Sequence, residues 1–179
     1  MGKVQGPGKT LLKRPIFLLG FMGAGKSTVG PLLAQVLGVP FLDLDEAVER
    51  STGLSIPEIF ERKGEAWFRI KESQALKETV GKPMVVATGG GVVVRKENWR
   101  YLQRGITVAL LASPEALQLR LGKGEGRPLF DPTSWKALLS EREPLYKRAQ
   151  VVIDTTCIGP WEVVEKILEA LNGMEGTGN

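Results

Sequence analysis

The sequence from Ile16 to Ser27 reads IFLLGFMGAGKS, an apolar run that passes directly into a glycine-rich segment. The apolar run 16–19 is bounded by Pro15 and Gly20, which predicts a short buried strand. The glycine-rich part matches the pattern G-x-x-x-x-G-K-[ST], and the residues after it place apolar side chains at helical spacing. A strand, a glycine loop and a helix in this order predict a loop that binds phosphate groups.

The chemistry of this loop follows from its residue types. Glycines let backbone N–H groups turn toward phosphate oxygens, and the N-terminus of the helix predicted at 27–37 adds a favourable dipole. Lys26 is placed to reach the β- and γ-phosphates of a nucleotide, and Ser27 is placed to hold Mg²⁺. A second GKT sequence at 8–10 has Lys3, not glycine, five residues before its own glycine, and no strand precedes it. We therefore assign that second sequence to a lead-in segment.

Apolar runs and helical patterns alternate along the rest of the chain. Further strands are predicted at 41–43, 84–87, 106–111 and 151–153. Further helices are predicted at 55–64, 65–80, 113–121, 133–148 and 161–171. Five buried strands separated by helices predict an α/β fold in which helices cover both faces of a parallel sheet.

The composition narrows the possible functions. The chain has 179 residues, which fits one domain at 15–172 with flexible ends at 1–14 and 173–179. It contains no histidine, which excludes histidine-dependent nucleophilic and metal chemistry, and the single cysteine, Cys157, excludes an internal disulfide. The net charge of +4 is compatible with anionic ligands or with a solvated surface. No apolar run approaches the roughly 20 residues of a membrane span, and no signal peptide is recognisable.

Two carboxylates stand at the end of the second predicted strand. Asp43 and Asp45 are two residues apart, and side chains at i and i+2 of a strand point the same way. Both would then face the cleft at the carboxyl edge of the sheet, where folds of this type bind ligands. One carboxylate suits Mg²⁺, and the other could orient a substrate hydroxyl or take its proton. The alternative is that Asp45 only caps the N-terminus of the helix that follows.

An arginine lies between two acidic residues in the predicted helix 65–80. Arg69 has Glu65 four residues before it and Glu72 three residues after it. One interpretation is an exposed cluster of ion pairs on the helix surface. The other is a guanidinium that binds a substrate carboxylate. The sequence pattern alone leaves both interpretations open.

Three consecutive glycines, 89–91, follow the third predicted strand. A turn needs one or two glycines, so three favour a close approach of the backbone to a ligand over a merely tight loop. Arg127 lies in the segment 122–132, rich in glycine, proline and charge, which could close over phosphates as a lid. A cation there could stabilise the transferring phosphoryl group. Arg120, Arg127 and Arg142, taken singly, fit a surface position better than a ligand contact.

Several segments occur together in the order and approximate spacing found in shikimate kinases. They are GFMGAGKSTVG, FLDLD, GEAWFR, TGGG, RPL and REPLY. Over residues 14–172 the chain therefore resembles the shikimate kinase family. The resemblance implies a three-layer α/β/α P-loop kinase fold, with a five-stranded parallel sheet in the order 2-3-1-4-5. It also implies a substrate-binding segment at about 45–80 and a lid at about 122–132.

The resemblance further implies a reaction in which the enzyme, with Mg²⁺, transfers a phosphoryl group from ATP to the 3-hydroxyl of shikimate. It also implies that the protein is a cytoplasmic monomer. The expected ATP contacts are Gly23, Ala24, Gly25, Lys26, Ser27, Thr28, Arg120 and Arg127. The expected shikimate contacts are Asp45, Arg69, Gly89, Gly90, Gly91 and Arg142, with both arginines on the carboxylate. Ser27 and Asp43 are expected to hold the metal. The expected catalytic residues are Lys26, Asp45, the candidate base, and Arg127, and Arg120 is expected to pack on adenine.

Two rival functions stay open at this point. The first is another small-molecule kinase of similar build, such as a gluconate kinase or a nucleoside monophosphate kinase. The second is a non-catalytic module that binds ATP or nucleic acid. The basic residues are scattered, and no basic patch interleaved with aromatic residues favours nucleic acid. Asp43, Asp45 and Arg127 are all present, which favours catalysis over a module that only binds.

Overall fold

The fold was analysed in a computed structural model that describes residues 12–122 and 131–175. The strands are β1 Ile16–Leu19, β2 Phe41–Asp43, β3 Val85–Ala87, β4 Ile106–Leu111 and β5 Val151–Asp154. The helices are α1 Lys26–Leu37, α2 Leu44–Thr52, α3 Ile56–Arg62, α4 Glu65–Thr79, α5 Lys96–Leu102, α6 Pro114–Leu121, α7 Trp135–Tyr146 and α8 Pro160–Glu175.

The five strands form one parallel sheet in the order β2-β3-β1-β4-β5, which confirms the predicted fold. Strand β1 is central, with Ile16 opposite both Val85 of β3 and Ile106 of β4. All four residues of β1 are fully buried, as an apolar run in a sheet covered on both faces requires.

The helices cover both faces because every connection between parallel strands is a crossover. Such crossovers are right-handed. Along the sheet, the connection from β1 to β2 leads toward the β2 edge, and all later connections lead toward the β5 edge. Helix α1 therefore lies on one face, where α8 packs against it, while α4, α5 and α7 lie on the other. The direction of the chain changes at β1, and a cleft forms at such a switch point beyond the carboxyl ends of the strands.

Local signals set the ends of several helices as predicted. Gly38 ends α1 in the left-handed conformation, with φ at 68°. Ser55 begins α3 with a capping box, in which its hydroxyl accepts from the Glu58 backbone N–H and the Glu58 side chain accepts from the Ser55 N–H. Ser113 caps α6 by accepting from the backbone N–H of Ala116.

The structure corrects the sequence analysis at three places. Helix α5, with seven residues, was not predicted, whereas the nine-residue α2 is the helix that was expected, without bounds, after Asp45. Helix α7 is shorter than the predicted 133–148. Helix α8 continues to Glu175, so residues 173–175, assigned to a flexible tail, are helical. Most of the predicted N-terminal extension, the second GKT sequence and the lid residues 123–130 lie outside the described residues, as do 176–179.

The hydrophobic core is continuous across the sheet, and a smaller cluster lies apart from it. The small cluster joins Val48 of α2, Ile59 of α3 and Phe68 of α4. It packs these three helices together beyond the end of β2, so α4 lies against α2 and α3 beside the cleft. Within the described ranges, no helix is both long and apolar enough to cross a membrane.

Candidate active site

A cavity of about 650 Å³ opens beyond the carboxyl ends of β1, β2 and β3. It brings together every described residue for which the sequence predicted a role. The lining includes Gly23, Ala24, Gly25, Lys26, Ser27, Thr28, Asp43, Asp45, Arg69, Gly89, Gly90, Gly91, Arg120 and Arg142. Arg127, the remaining predicted site residue, lies outside the described residues. Phe60 and Phe68 also line the cavity, and their rings pack on each other at 5.2 Å between centroids.

The glycine loop after β1 has the backbone that its sequence demands. Gly23 and Gly25 have φ values of 81° and 108°, in the region that favours glycine. Gly25 precedes α1 and offers no side chain to its first turn, which leaves the N–H groups of Lys26 and Ser27 directed out of the helix end. The ammonium of Lys26 donates to the carbonyl oxygens of Gly20, at 2.5 Å, and Phe21, at 3.1 Å. The loop thus presents N–H groups and a lysine at one end of the cavity.

Ser27 and Asp43 meet across the cleft. The Ser27 hydroxyl donates to Oδ2 of Asp43 at 3.0 Å, and Oδ1 of Asp43 accepts from the backbone N–H groups of Asp45 and Glu46. Asp43 therefore caps α2 with one oxygen and contacts the phosphate loop with the other. Within the described ranges no group of three or more acidic or cysteine side chains could hold a metal on its own. A hydroxyl and a carboxylate fit Mg²⁺, which is commonly shared between one or two protein oxygens and the phosphates of a nucleotide.

Asp45 reaches the cavity in a different way from the one predicted. It lies in the first turn of α2 and not in a strand, and the residue that caps the helix is Asp43. The expectation that both carboxylates face the cleft is confirmed, but the strand geometry behind it is wrong. Oδ1 of Asp45 is buried and has no hydrogen-bond partner among the described residues. Burial, together with the charges of Glu72 and Asp43, raises the pKa of Asp45 to about 6.

Arg69 forms both ion pairs that the sequence suggested, but the guanidinium and one of its two partners, Glu72, are buried, while Glu65 is half exposed. Its Nη1 donates to Oε2 of Glu72 at 2.9 Å, and its Nη2 to Oε1 of Glu65 at 3.3 Å. Arg69 is 9% exposed and Glu72 is 0% exposed. Burial alone would lower the pKa of Arg69, but the two carboxylates raise it above its ordinary value. The guanidinium is therefore charged and held in place beside the cavity.

Two of the three glycines after β3, Gly89 and Gly91, are needed for close packing with side chains, whereas a Cβ on Gly90 would make ordinary contacts. A Cβ on Gly89 would lie 2.5 Å from Oε1 of Glu72, and a Cβ on Gly91 would lie 2.6 Å from Cζ of Arg69. None of the three has a positive φ, so conformational freedom is not the reason for them. Their absent side chains let the charged groups of α4 lie directly against the turn.

Arg142 of α7 lies on the far side of the same turn. It is 5% exposed, and its Nε has no hydrogen-bond partner among the described residues. Oε1 of Glu72 and Oδ1 of Asp45 are also buried without a hydrogen-bond partner among the described residues. Arg142, Glu72 and Asp45 all line the cavity. Buried polar atoms of native proteins almost always have partners, so three unpaired atoms around one cavity indicate the place of a polar ligand.

Arg120 lies at the other end of the cavity, near the phosphate loop. Its guanidinium donates to the hydroxyl of Thr155 at 3.1 Å and to the carbonyl of Thr155 at 2.7 Å. The Thr155 hydroxyl in turn donates to the carbonyl oxygens of Leu111 and Ala24. Arg120 is thus fixed between β5 and the loop, with Ile158 and Val163 lining the cavity nearby.

Sequence analysis missed several residues that shape the site. Glu72 was treated only as a surface partner of Arg69, although its position three residues after Arg69 is visible in the sequence. Tyr146 was quoted within REPLY without a role, and its hydroxyl donates to the carbonyl of Gly90 at 2.5 Å. Arg95 donates to the carbonyl of Arg69 and to the hydroxyl of Ser73, which ties α4 to the segment after the glycine turn. No local pattern signals a contact over 26 or 56 residues.

A family model described as "Shikimate kinase" matches residues 22–172 of the chain. That range is most of the sequence and contains all but the first part of the phosphate loop. The chain belongs to the shikimate kinase family. It is 44% identical over 160 residues to a shikimate kinase of Thermodesulfovibrio yellowstonii, with 86% of this chain and 92% of the relative covered. It is 45% identical over 168 residues to a shikimate kinase of Bordetella avium, with 90% of this chain and 80% of that relative covered.

Solved shikimate kinases share the whole fold. A shikimate kinase from Acinetobacter baumannii in complex with shikimate superposes with a TM-score of 0.86 at 36% identity, covering 96% of this chain and 100% of that one. The shikimate kinase of Aquifex aeolicus gives a TM-score of 0.81 at 41% identity, with 92% and 99% covered. A gluconokinase of Sinorhizobium meliloti gives 0.57 at 20% identity, with 91% and 94% covered, which shows only a common fold. The gluconokinase is therefore less similar to this chain than the two shikimate kinases are.

Proposed function

We propose that the chain transfers the γ-phosphoryl group of ATP to the 3-hydroxyl of shikimate. The observation that carries the proposal is the pair of buried guanidinium groups, Arg69 and Arg142, in one cavity with the phosphate-binding loop. Two buried cations on either side of the glycine turn suit a small anionic acceptor with a planar carboxylate. Membership of the shikimate kinase family supports the same acceptor.

ATP is assigned to the half of the cavity that contains the loop. The N–H groups at the start of α1 and the ammonium of Lys26 suit the β- and γ-phosphates. Because Lys26 contacts carbonyl oxygens of its own loop in this structure, its ammonium would exchange those acceptors for phosphate oxygens. Arg120, fixed by Thr155, is assigned to the base end of the nucleotide. We keep Arg127 and the lid at 122–132 as predictions from the family resemblance.

Mg²⁺ is assigned to Ser27 and Asp43, whose oxygens lie 3.0 Å apart and form a hard donor pair. When bound, the ion would neutralise charge on the phosphate oxygens during transfer. Ser27 and Asp43 serve this role without large movement, because Asp43 is already held by the N-terminus of α2.

The acceptor half of the cavity accounts for the remaining chemistry. Asp45 is positioned to accept a hydrogen bond from the 3-hydroxyl through its unpaired Oδ1 and to take the proton of that hydroxyl. The hydroxyl oxygen then forms the new bond to the γ-phosphorus, the bond from that phosphorus to the bridging oxygen breaks, and ADP leaves. Arg69 and Arg142 fix the opposite, carboxylate end of the acceptor. Positioning and charge neutralisation are the contribution of the protein.

The test is a coupled ADP-release assay with MgATP and four parallel acceptors: shikimate, gluconate, AMP and none. ADP release that depends on shikimate and is lost in Arg69→Ala supports both the reaction and the carboxylate contact. Turnover with gluconate or AMP but not with shikimate would support kinase activity and would contradict shikimate as the acceptor. The monomeric state, the cytoplasmic location and the lack of a nucleic-acid partner stay predictions.

A further inference from the structure

The buried hydroxyl of Tyr146 connects two parts of the acceptor site. Tyr146 is 0% exposed at the end of α7, one helical turn after Arg142. Its hydroxyl donates to the carbonyl oxygen of Gly90 at 2.5 Å, a contact that spans 56 residues. A phenylalanine would fill the same volume without a polar atom, so packing alone does not call for a tyrosine here.

The same hydroxyl also interacts with the guanidinium of Arg142. The charge of that guanidinium acts against the burial that raises the pKa of Tyr146, and a Cβ on Gly90 would lie 3.5 Å from the hydroxyl and 3.6 Å from Nη1 of Arg142, so both groups lie beside Gly90. Arginine only donates and the carbonyl only accepts. The Tyr146 O–H therefore donates to the Gly90 oxygen, and only the lone pairs of the hydroxyl can face the guanidinium of Arg142.

This hydrogen bond orients a peptide unit whose two residues line the cavity. The Gly90 carbonyl and the Gly91 N–H belong to one planar peptide unit and point in opposite directions. Fixing the carbonyl on Tyr146 therefore fixes the direction of the Gly91 N–H. The hydroxyl and Nη1 of Arg142 lie beside the same glycine, and Nε of that arginine is unpaired among the described residues.

We propose that Tyr146 is a positioning residue that holds Arg142 and the Gly90–Gly91 peptide in register and thereby sets the affinity for the acceptor's carboxylate. The proposal rests on the proposed function for the identity of the acceptor. It concerns affinity and not the phosphoryl transfer step, because Tyr146 is fully buried and its hydroxyl donates to the carbonyl oxygen of the glycine turn.

The test variant is Tyr146→Phe, which removes one oxygen and keeps the ring. Tyr101 of α5 is the only other tyrosine of the chain, so Tyr101→Phe is the matched control. We expect Tyr146→Phe to raise the KM for shikimate at least about fivefold, the scale of one net hydrogen bond. The KM for ATP and kcat should stay within about twofold of the wild type, as should all three constants in the control.

A double-mutant cycle separates a positioning role from a structural one. If Tyr146 acts mainly through Arg142, its effect on the KM for shikimate should fall below about twofold in an Arg142→Lys background. Equal effects in both backgrounds would overturn the role assigned to Arg142. A lowered melting temperature with an unchanged KM for shikimate would overturn the proposal as a whole.

Hydrogen exchange measures the positioning without any substrate. In Tyr146→Phe the amides of 89–94 should exchange faster than in the wild type, while those of β5 should not change. Unchanged exchange at 89–94 would contradict the proposal even if the enzyme is active. A wild type that is inactive with shikimate would instead count against the proposed function, so the two failures are distinguishable.

Discussion

Glu72 accepts a hydrogen bond from Nη1 of Arg69 at 2.9 Å, and its side chain is completely removed from solvent. A carboxylate buried to this degree is stable only beside a cation, and a buried guanidinium has the same need. The pair therefore fixes Arg69 against the glycine turn before any acceptor binds. Oε1 of Glu72 stays unpaired among the described residues and lies close to Gly89.

Replacing Glu72 with glutamine should weaken acceptor binding and the fold together. Glu72→Gln keeps the shape but removes the charge that holds Arg69. We expect the KM for shikimate to rise about tenfold, kcat to change less than about threefold, and the free energy of unfolding to fall by about 2 kcal/mol. Steady-state kinetics and urea unfolding measure these quantities.

Glu65→Gln is the matched control for that variant. Glu65 pairs with the same guanidinium at 3.3 Å, but its side chain is half exposed. Exposed pairs contribute little, so we expect less than a twofold change in KM. Equal effects of the two substitutions would show that burial of the Glu72 pair has no special importance.

A methyl group on Gly91 should displace Arg69. The new Cβ would lie 2.6 Å from Cζ of Arg69, too close for any real contact. Because the guanidinium is held by two carboxylates, we expect Gly91→Ala to raise the KM for shikimate more than about tenfold and leave the KM for ATP within about twofold. Gly173→Ala, where a Cβ meets open space, is the control and should leave both constants unchanged. A Gly91→Ala enzyme with normal affinity for shikimate would contradict the packing described.

Asp45 should make the ligand-free fold less stable as the pH rises. Its pKa of about 6 in the folded chain lies above the usual value of 3.8, so the fold favours the protonated form. The resulting stability is present below about pH 4 and is lost as the pH rises through about 6. Asp45→Asn should therefore unfold with a free energy about 2 kcal/mol higher than the wild type at pH 8, and with a smaller difference at pH 5. Urea titrations at both pH values measure this, and a variant less stable than the wild type at pH 8 would refute it.

Loss of the Ser27 hydroxyl should change the metal requirement. Ser27→Ala removes one of the two oxygens assigned to Mg²⁺ and leaves Asp43 capping α2. We expect the Mg²⁺ concentration for half-maximal rate to rise at least about fivefold, with the fold unchanged. Ser51→Ala, at the exposed end of α2, is the control. If the Mg²⁺ dependence of Ser27→Ala equals that of the wild type, the assignment of Ser27 as a metal ligand is wrong.

Much of the fold could be predicted because its signals are local. Each strand is a short apolar run, and glycine, proline or serine marks many of the helix ends, as Gly38 and Ser55 do. The start of helix α2 was placed two residues late because Asp43 both ends β2 and caps the helix, so no turn separates the two elements. Helix α5 has only seven residues, too few for a helical pattern of apolar side chains to stand out.

Many of the residues that line the cavity could be named from the sequence, but their burial and long-range contacts could not. The loop, the aspartates and the glycines are visible as motifs. The burial of Glu72 is not, because it depends on how α4 packs beside the turn after β3. The same holds for Tyr146, whose partner Gly90 is distant in sequence. Contacts of this kind arise only once the sheet and helices are assembled.

The most direct test of the account compares shikimate with its methyl ester as acceptors for the wild-type enzyme. The ester keeps the ring and hydroxyls but removes the charge that Arg69 and Arg142 are proposed to bind. We predict turnover with shikimate and a kcat/KM for the ester lower by at least about a hundredfold, or about 2.7 kcal/mol. No ADP release with shikimate, or equal kcat/KM for both compounds, would contradict the account.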